Sequence, residues 1–298
     1  MRRVLGSSLL KASSLLEDGA LTRLLRGGVG GRRVALCFHR VAGQRRQGEL
    51  QPKLTMAPDE IDRLISFVQG AVGPLTVSFD DGYLDSADYV LSRAARFPEV
   101  EWIFFLCPQK TERPAGFRWD LAERRPSQDA QAILSAPVDV ALENLRAELR
   151  ALPRDPAFRL ASVELCRRIQ RLPNATLGNH TNVHHRPSEL TCAQAVAEFA
   201  GSALDFERLF GPTAHFAFPF GVPGADFTAR DLAILRKLGS FILWSTEPRP
   251  FDEGERRAGA VLPRFAVEGT RSWKETALQI AVHALRTRLP GTEHRTSP

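Results

Sequence analysis

Two short motifs carry the residue types that hydrolytic metal chemistry needs. Ser78-Phe79-Asp80-Asp81-Gly82 sets two carboxylates side by side after an apolar, β-branched run. Like charges this close raise one another's pKa, and a cation or an arginine partner relieves the cost. One carboxylate can then ligate a metal while its neighbour takes a proton. The same residues also read as turn chemistry, with Asp81 capping the following helix. The second motif is His180-Thr181-Asn182-Val183-His184, with His185 beside it. Histidines four apart can share an ion across a helical turn or around a tight loop, and each alone reads equally as a surface or capping residue. Taken together, one carboxylate and two imidazoles form a facial set that leaves positions open for water and substrate.

The elements that must position these residues alternate between strand and helix. An apolar run at 34–41 reads as a buried strand with His39 near its end, after a Gly/Arg linker over 26–33. Ile61, Leu64, Ile65 and Val68 share one helical face within 58–72, and 75–79 is a strand running into the paired aspartates. A helix over 85–95 and a strand over 101–108 follow. A long charged stretch then carries helical pieces at 140–152 and 163–172. Strand-like runs resume at 175–179, 215–221, 241–244 and 261–267, separated by helices at 194–210 and 232–238, and a basic helix begins at 272. This order predicts an α/β chain with a largely parallel sheet, open or closed into a barrel. Each chemically suggestive residue falls at a strand end, where α/β folds build their sites.

Composition narrows the partners. The 298 residues carry a net charge of +6, and the pI is near 9.5. That balance suits an acidic polysaccharide or an anionic membrane face, and with no recognition module or aromatic-interleaved basic run, no nucleic-acid partner is expected. Cys37, Cys107, Cys166 and Cys192 lack any CxxC spacing, so reduced thiols and a cytoplasmic setting are expected. At the N-terminus, Val4, Leu5, Leu9, Leu10, Leu15 and Leu16 mark one helical face behind Arg2 and Arg3. The segment reads as a surface helix packed on the domain, or as a peripheral contact with the inner membrane face. No run approaches the ~20 apolar residues of a membrane span.

SFDDG, His-Thr-x-x-His and the Phe-Ala-Phe-Pro-Phe-Gly turn at 216–221, in that order, resemble the polysaccharide deacetylase family, the NodB-homology or carbohydrate esterase 4 group. The opening Cys-Phe-His-Arg-Val at 37–41 is similar to the first strand of a branch that includes poly-N-acetylglucosamine deacetylases. The resemblance implies a deformed (β/α) barrel over 31–270 with a helical insertion at about 110–173, between an amphipathic, basic segment at 1–30 and a C-terminal helix with a disordered tail at 271–298. It implies Asp81, His180 and His184 as metal ligands and Asp80 as catalytic base. The backbone N–H of Tyr83 would serve the oxyanion, and Phe218, Pro219 and Phe220 would form a groove wall, with Thr181 orienting its neighbours. The implied cofactor is a divalent ion, zinc by default, with cobalt, nickel, iron or manganese also suited to such a set.

Three departures stand out. The family's arginine before the turn is replaced by Ala214-His215-Phe216-Ala217, its Asp and Trp strand motif by Leu243-Trp244-Ser245-Thr246, and its terminal Leu-x-His by Leu262-Pro263-Arg264. His39 is the candidate to stand in as general acid, with His215 a weaker competitor. Arg264 would steady Asp80, bind substrate, or lie on the surface. Trp119 and Asp120 would meet a sugar or pack the helical insertion, and Trp244 would line or fill the barrel. The expected activity is removal of acetyl groups from N-acetylated sugars of a glycan or glycan precursor. The alternatives are a metal-dependent amidase on another substrate and a catalytically silent glycan binder.

Overall fold

The computed structural model describes residues 16–43, 52–135, 138–155 and 158–288. Its β-branched and aromatic runs form β1 (Val34–Phe38), β2 (Arg40–Val41), β3 (Thr55–Met56), β4 (Leu75–Phe79), β5 (Val100–Leu106), β6 (Ala175–Asn179), β7 (His215–Ala217), β8 (Ile242–Trp244) and β9 (Phe265–Ala266). Seven of these make one sheet in the order β8-β7-β6-β5-β4-β1-β9, and β2 pairs separately with β3. Every pairing within the large sheet is parallel.

One short segment closes the sheet on itself. Leu262 bridges in parallel to Trp244 of β8, while Phe265 and Ala266 pair with Leu36 and Cys37 of β1. The result is a deformed (β/α) barrel of seven strands, whose last strand is only two residues long.

Strand alternation divides the side chains between two cores. Leu36, Phe38, Val77, Phe79, Trp102 and Phe104 join the apolar faces of the surrounding helices. Ala35, Ile103, Phe105, Ala217, Trp244, Phe251 and Leu262 fill the barrel interior, and Trp244 is fully buried there. Gly178 gives Phe105 its space, since a Cβ at 178 would lie 2.3 Å from that ring.

The helix Pro58–Val72 buries Ile61, Leu64, Ile65 and Val68, as its spacing predicts, and starts on a proline, which suits the first helical turn. The first half of the linker expected over 26–33 is instead helix, because Asp18–Val29 runs into it. Gly28 explains the difference: a Cβ there would sit 2.9 Å from the carbonyl of Ala281, so glycine lets this helix pack closely against Trp273–Arg286. Leu21, Leu25 and Val29 are buried in that contact.

Between β5 and β6 lie the helices Pro108–Glu112, Arg118–Ala122, Ser127–Ser135, Val138–Ala151 and Val163–Gln170. An antiparallel bridge joins Leu160 to Tyr83, with Leu84 N–H donating to Arg159 at 2.9 Å and Ala161 N–H to Gly82 at 2.8 Å. The insertion is thereby stitched to the loop that follows the paired aspartates. Among the described residues, no helix is long and apolar enough to cross a membrane. The proposed membrane-facing residues before Leu16, and the tail beyond Arg288, lie outside the described residues.

Candidate active site

The turn after β4 sends two neighbouring carboxylates to different partners. Asp80 still belongs to the strand ladder, its N–H donating to Phe38 at 2.9 Å. Asp81 then adopts φ 75° and Gly82 φ 80°. Left-handed backbone is uncommon outside glycine, though aspartate tolerates it better than most residues. Both carboxylates are buried, each residue 2% exposed.

Asp80 is clamped by Arg264. Nη1 donates to Oδ1 at 2.6 Å and Nη2 to Oδ2 at 2.9 Å. The guanidinium is fixed from behind by donating to Ser78 Oγ at 3.0 Å and to the Ser245 carbonyl at 3.1 Å. Cys37 Sγ adds a thiol donor to Asp80 Oδ2 at 3.4 Å. Arg264 is fully buried, so it is not a surface residue. Its guanidinium lies 5.1 Å from the centre of the Phe105 ring inside the barrel. Burial alone would raise the Asp80 carboxyl, but the Arg264 charge outweighs it and holds the group well below the usual carboxylate range. The arginine that the resemblance implies before the 218–221 turn is absent, and a guanidinium reaches Asp80 instead from the segment before β9.

Asp81 faces the histidines. Its Oδ1 lies 3.1 Å from His184 Nε2 and 3.6 Å from His180 Nε2. The histidines bracket a tight loop after β6 rather than a helical turn. His180 Nδ1 is 2.8 Å from the Ala217 carbonyl, an acceptor that places the proton on Nδ1 and leaves the Nε2 lone pair facing the site. Burial pushes the His180 imidazole down to about 4, so it is neutral at pH 7, as a ligand must be.

This set fits a divalent ion. Ligand atoms bound at about 2.0–2.2 Å around one ion lie about 3–3.5 Å apart, close to the two separations from Asp81 Oδ1. That oxygen is buried and makes no aligned hydrogen bond among the described residues. A buried carboxylate oxygen without a donor is costly, and a cation removes the cost. All three side chains can contribute an atom within 4.8 Å of the others.

The remaining sequence candidates fall in several places. A His39 ring nitrogen lies within 4.8 Å of an Asp80 oxygen and of Cys37 Sγ, and its Nδ1 is buried without a partner among the described residues. Tyr83 begins the helix Leu84–Arg93, and among the described residues no group accepts from its backbone N–H. The Trp119 ring packs edge-on to His184 at 4.8 Å and stacks on Phe117 at 4.6 Å, while its Nε1 donates to Tyr83 Oη at 2.9 Å. Asp120 is fully buried and accepts from Tyr83 Oη at 2.8 Å and Phe117 N–H at 3.0 Å. It therefore offers no face to a sugar, and burial pushes its carboxyl up to about 7.

The turn at 218–221 divides its residues. Phe218 is fully buried, stacked 3.9 Å from Phe227, and supports the turn from the core side. Pro219 is buried, and its carbonyl accepts from Gly221 N–H at 2.7 Å. That three-residue turn holds Phe220 at φ 62° and sets its ring 5.1 Å from His184. His215 lies at the opposite end of the barrel, where its Nδ1 accepts from Trp244 Nε1 at 3.1 Å, so it does not compete for the site.

Sequence reasoning passed over Glu198, on the helix Cys192–Phe210. Its Oε1 accepts from the backbone N–H of Asn182 at 2.8 Å and of Val183 at 3.0 Å. From the same helix Asp205 accepts from Asn182 Nδ2 at 3.0 Å and Ser202 from Asn179 Nδ2 at 3.3 Å. The available signal was a polar series at 198, 202 and 205, spaced by four and three residues along one helical face.

No family model matches the sequence, and no curated protein matches it. Solved structures do. A polysaccharide deacetylase from Bacillus cereus superposes with a TM-score of 0.57 at 14% identity, covering 84% of this chain and 69% of that one. A Streptococcus pyogenes deacetylase, solved in complex with acetate, superposes with a TM-score of 0.55 at 11% identity, covering 84% of this chain and 98% of the other. The chain therefore has the fold of the polysaccharide deacetylases.

Proposed function

We propose that this protein is a metal-dependent hydrolase that removes acetyl groups from N-acetylated sugars of a glycan or glycan precursor. The observation that carries the reading is the convergence of Asp81 Oδ1 with the Nε2 atoms of His180 and His184 beside an arginine-clamped Asp80. The fold shared with deacetylases supports it. Asp81, His180 and His184 would hold the ion, zinc by default. When bound, such an ion lowers the pKa of a water molecule and polarises an acetyl carbonyl.

The chain's own residues supply the rest. Asp80 takes the proton of the attacking water, and Arg264 keeps it ionised and aimed, at a cost in basicity. The backbone N–H of Tyr83, free to donate, stabilises the developing oxyanion. His39 delivers a proton to the departing sugar amine, the part that the missing terminal histidine leaves open. Phe220 and Trp119 enclose His184 and exclude water from that side.

Acetate release from N-acetylated sugars, with and without chelator and re-added zinc, tests the reading. Chelator-sensitive release that falls about 10²–10⁴-fold in Asp80→Asn is the expected result. Bound metal without release from any N-acetyl sugar would favour an amidase on another substrate. Absence of both metal and release would refute catalysis.

A further inference from the structure

The loop that carries both histidines is held in an improbable shape. Thr181 and His184 both sit in left-handed backbone, at φ 63° each. Neither is glycine, and such conformations persist only where the surroundings over-determine them. The local restraints are visible: Thr181 N–H donates to Asn179 Oδ1 at 2.8 Å, and His184 N–H donates to Thr181 Oγ1 at 3.1 Å. These leave the middle of the loop, Asn182 and Val183, to be fixed from outside.

Glu198 does this. One of its carboxylate oxygens, Oε1, accepts from both consecutive backbone N–H groups, at 2.8 Å and 3.0 Å. Successive N–H groups beside a left-handed residue form a concavity that binds anions, and here the anion is a side chain from the helix Cys192–Phe210. We infer that Glu198 is a positioning residue for the metal site, holding the 180–184 loop so that the His184 imidazole meets Asp81. Asp205 supports the same loop through Asn182. Two features make the effect specific to His184. His180 follows directly on β6 and is held by the Ala217 carbonyl. His184 lies at the far end of the loop, and its Nδ1 has no partner among the described residues to fix its ring. Its orientation therefore depends on the loop backbone and on the flanking Trp119 and Phe220 rings.

The inference rests on the proposed metal site, and its test reads metal affinity rather than activity. Zinc binding to the full chain is measured by competition with a chromophoric chelator, for wild type, Glu198→Gln, Glu198→Asp, Glu198→Ala and His184→Ala. Glutamine keeps an acceptor oxygen at the same reach and should bind zinc nearly as wild type does. Aspartate withdraws the acceptor by one methylene and alanine removes it, and each should weaken binding about 10–100-fold, as loss of a ligand-orienting partner does. Cobalt substitution adds a spectroscopic check, since a displaced His184 alters the visible spectrum in the aspartate variant but not in the glutamine one. Unchanged affinity in Glu198→Ala, or in Glu198→Asp should the alanine variant not fold, would overturn the inference while leaving the metal site standing. Equal weakening in Glu198→Gln would also overturn it, by showing that charge rather than geometry matters. Wild type that binds no zinc, or His184→Ala that binds it undiminished, would overturn the metal site and this inference together.

Discussion

The two ends of the barrel both gather charge, and they treat it in opposite ways. At the amino ends of the strands, Glu101 accepts from Thr76 Oγ1 and from Arg256 Nη2, each at 2.8 Å, with Arg33 at 3.4 Å. Beside it His215 is a satisfied acceptor for Trp244, and among these groups only Arg33 Nε lacks a partner. At the carboxyl ends, Asp80 is over-provided with donors. Asp81 Oδ1, His184 Nδ1 and His39 Nδ1 are buried without partners among the described residues, and Asp81, Thr181, His184 and Phe220 adopt left-handed backbone. Buried polar groups in a scaffold find partners, whereas strain and unspent hydrogen-bonding capacity collect where a ligand is to be met. The contrast separates the face that stabilises the barrel from the face that carries the proposed site.

The contrast can be broken most severely at Arg264. Arg264→Met leaves Asp80 as an uncompensated buried charge, and should cost about 3–5 kcal/mol in denaturant unfolding. The double variant Arg264→Met/Asp80→Asn removes both charges and should regain much of that stability without regaining acetate release. Stability of the double variant no better than that of Arg264→Met would mean that the pair is not the unit described.

Metal should come next in size. Zinc at a hundred times its dissociation constant should add about 2.7 kcal/mol to folding stability through mass action. Thermal unfolding with and without chelator reads this directly, and His184→Ala should abolish most of the difference. An identical response in the variant would detach the stabilisation from this site.

At the other end, Glu101→Gln should cost about 1–3 kcal/mol by weakening its arginine partners' hydrogen bonds. Acetate release per folded molecule should not change. A loss of turnover at constant folded fraction would show that the amino end is not scaffold alone.

The last effect is graded with pH. Burial pushes the His215 imidazole down to about 4, below its value of about 6.5 in the unfolded chain. Between these values the unfolded state binds the proton and the folded state does not. Stability should therefore fall on acidification from pH ~6.5 to ~4, by up to about 1.4 kcal/mol per unit. Glu101 has its own carboxyl held below the usual value, burial being outweighed by Arg256. It adds a second loss, at the lower pH where that carboxyl titrates. His215→Gln keeps an acceptor for Trp244 and should flatten the upper part of the curve, as urea unfolding at stepped pH would show.

Much of this was legible in the residues. Continuous apolar runs, buried on both faces, and strand–helix alternation are local properties, so the parallel sheet could be read from the sequence pattern alone. The aspartate pair and the two histidines each follow a strand, and parallel strands bring such ends to one face. Their meeting could therefore be anticipated without coordinates. The Gly/Arg stretch at 26–33 misled, because the space that Gly28 leaves is defined by Ala281, 253 positions further along the chain.

What the tertiary structure alone decided is which long-range partner each buried polar group obtains. The sequence left Arg264 three readings, and only the fold chooses among them by setting its guanidinium in the barrel against Asp80, 184 residues earlier. That outcome needs the closure of β9 onto β1 and the small inward-facing Ser78 and Cys37. Likewise Glu198 reaches the histidine loop, and Trp119 the His184 ring, only once helices packed outside the sheet are in place. Local sequence determines secondary structure and the identity of strand-end residues because those depend on neighbours in the chain. Hydrogen-bond satisfaction inside a closed barrel depends on which distant side chains share its volume, and only packing settles that.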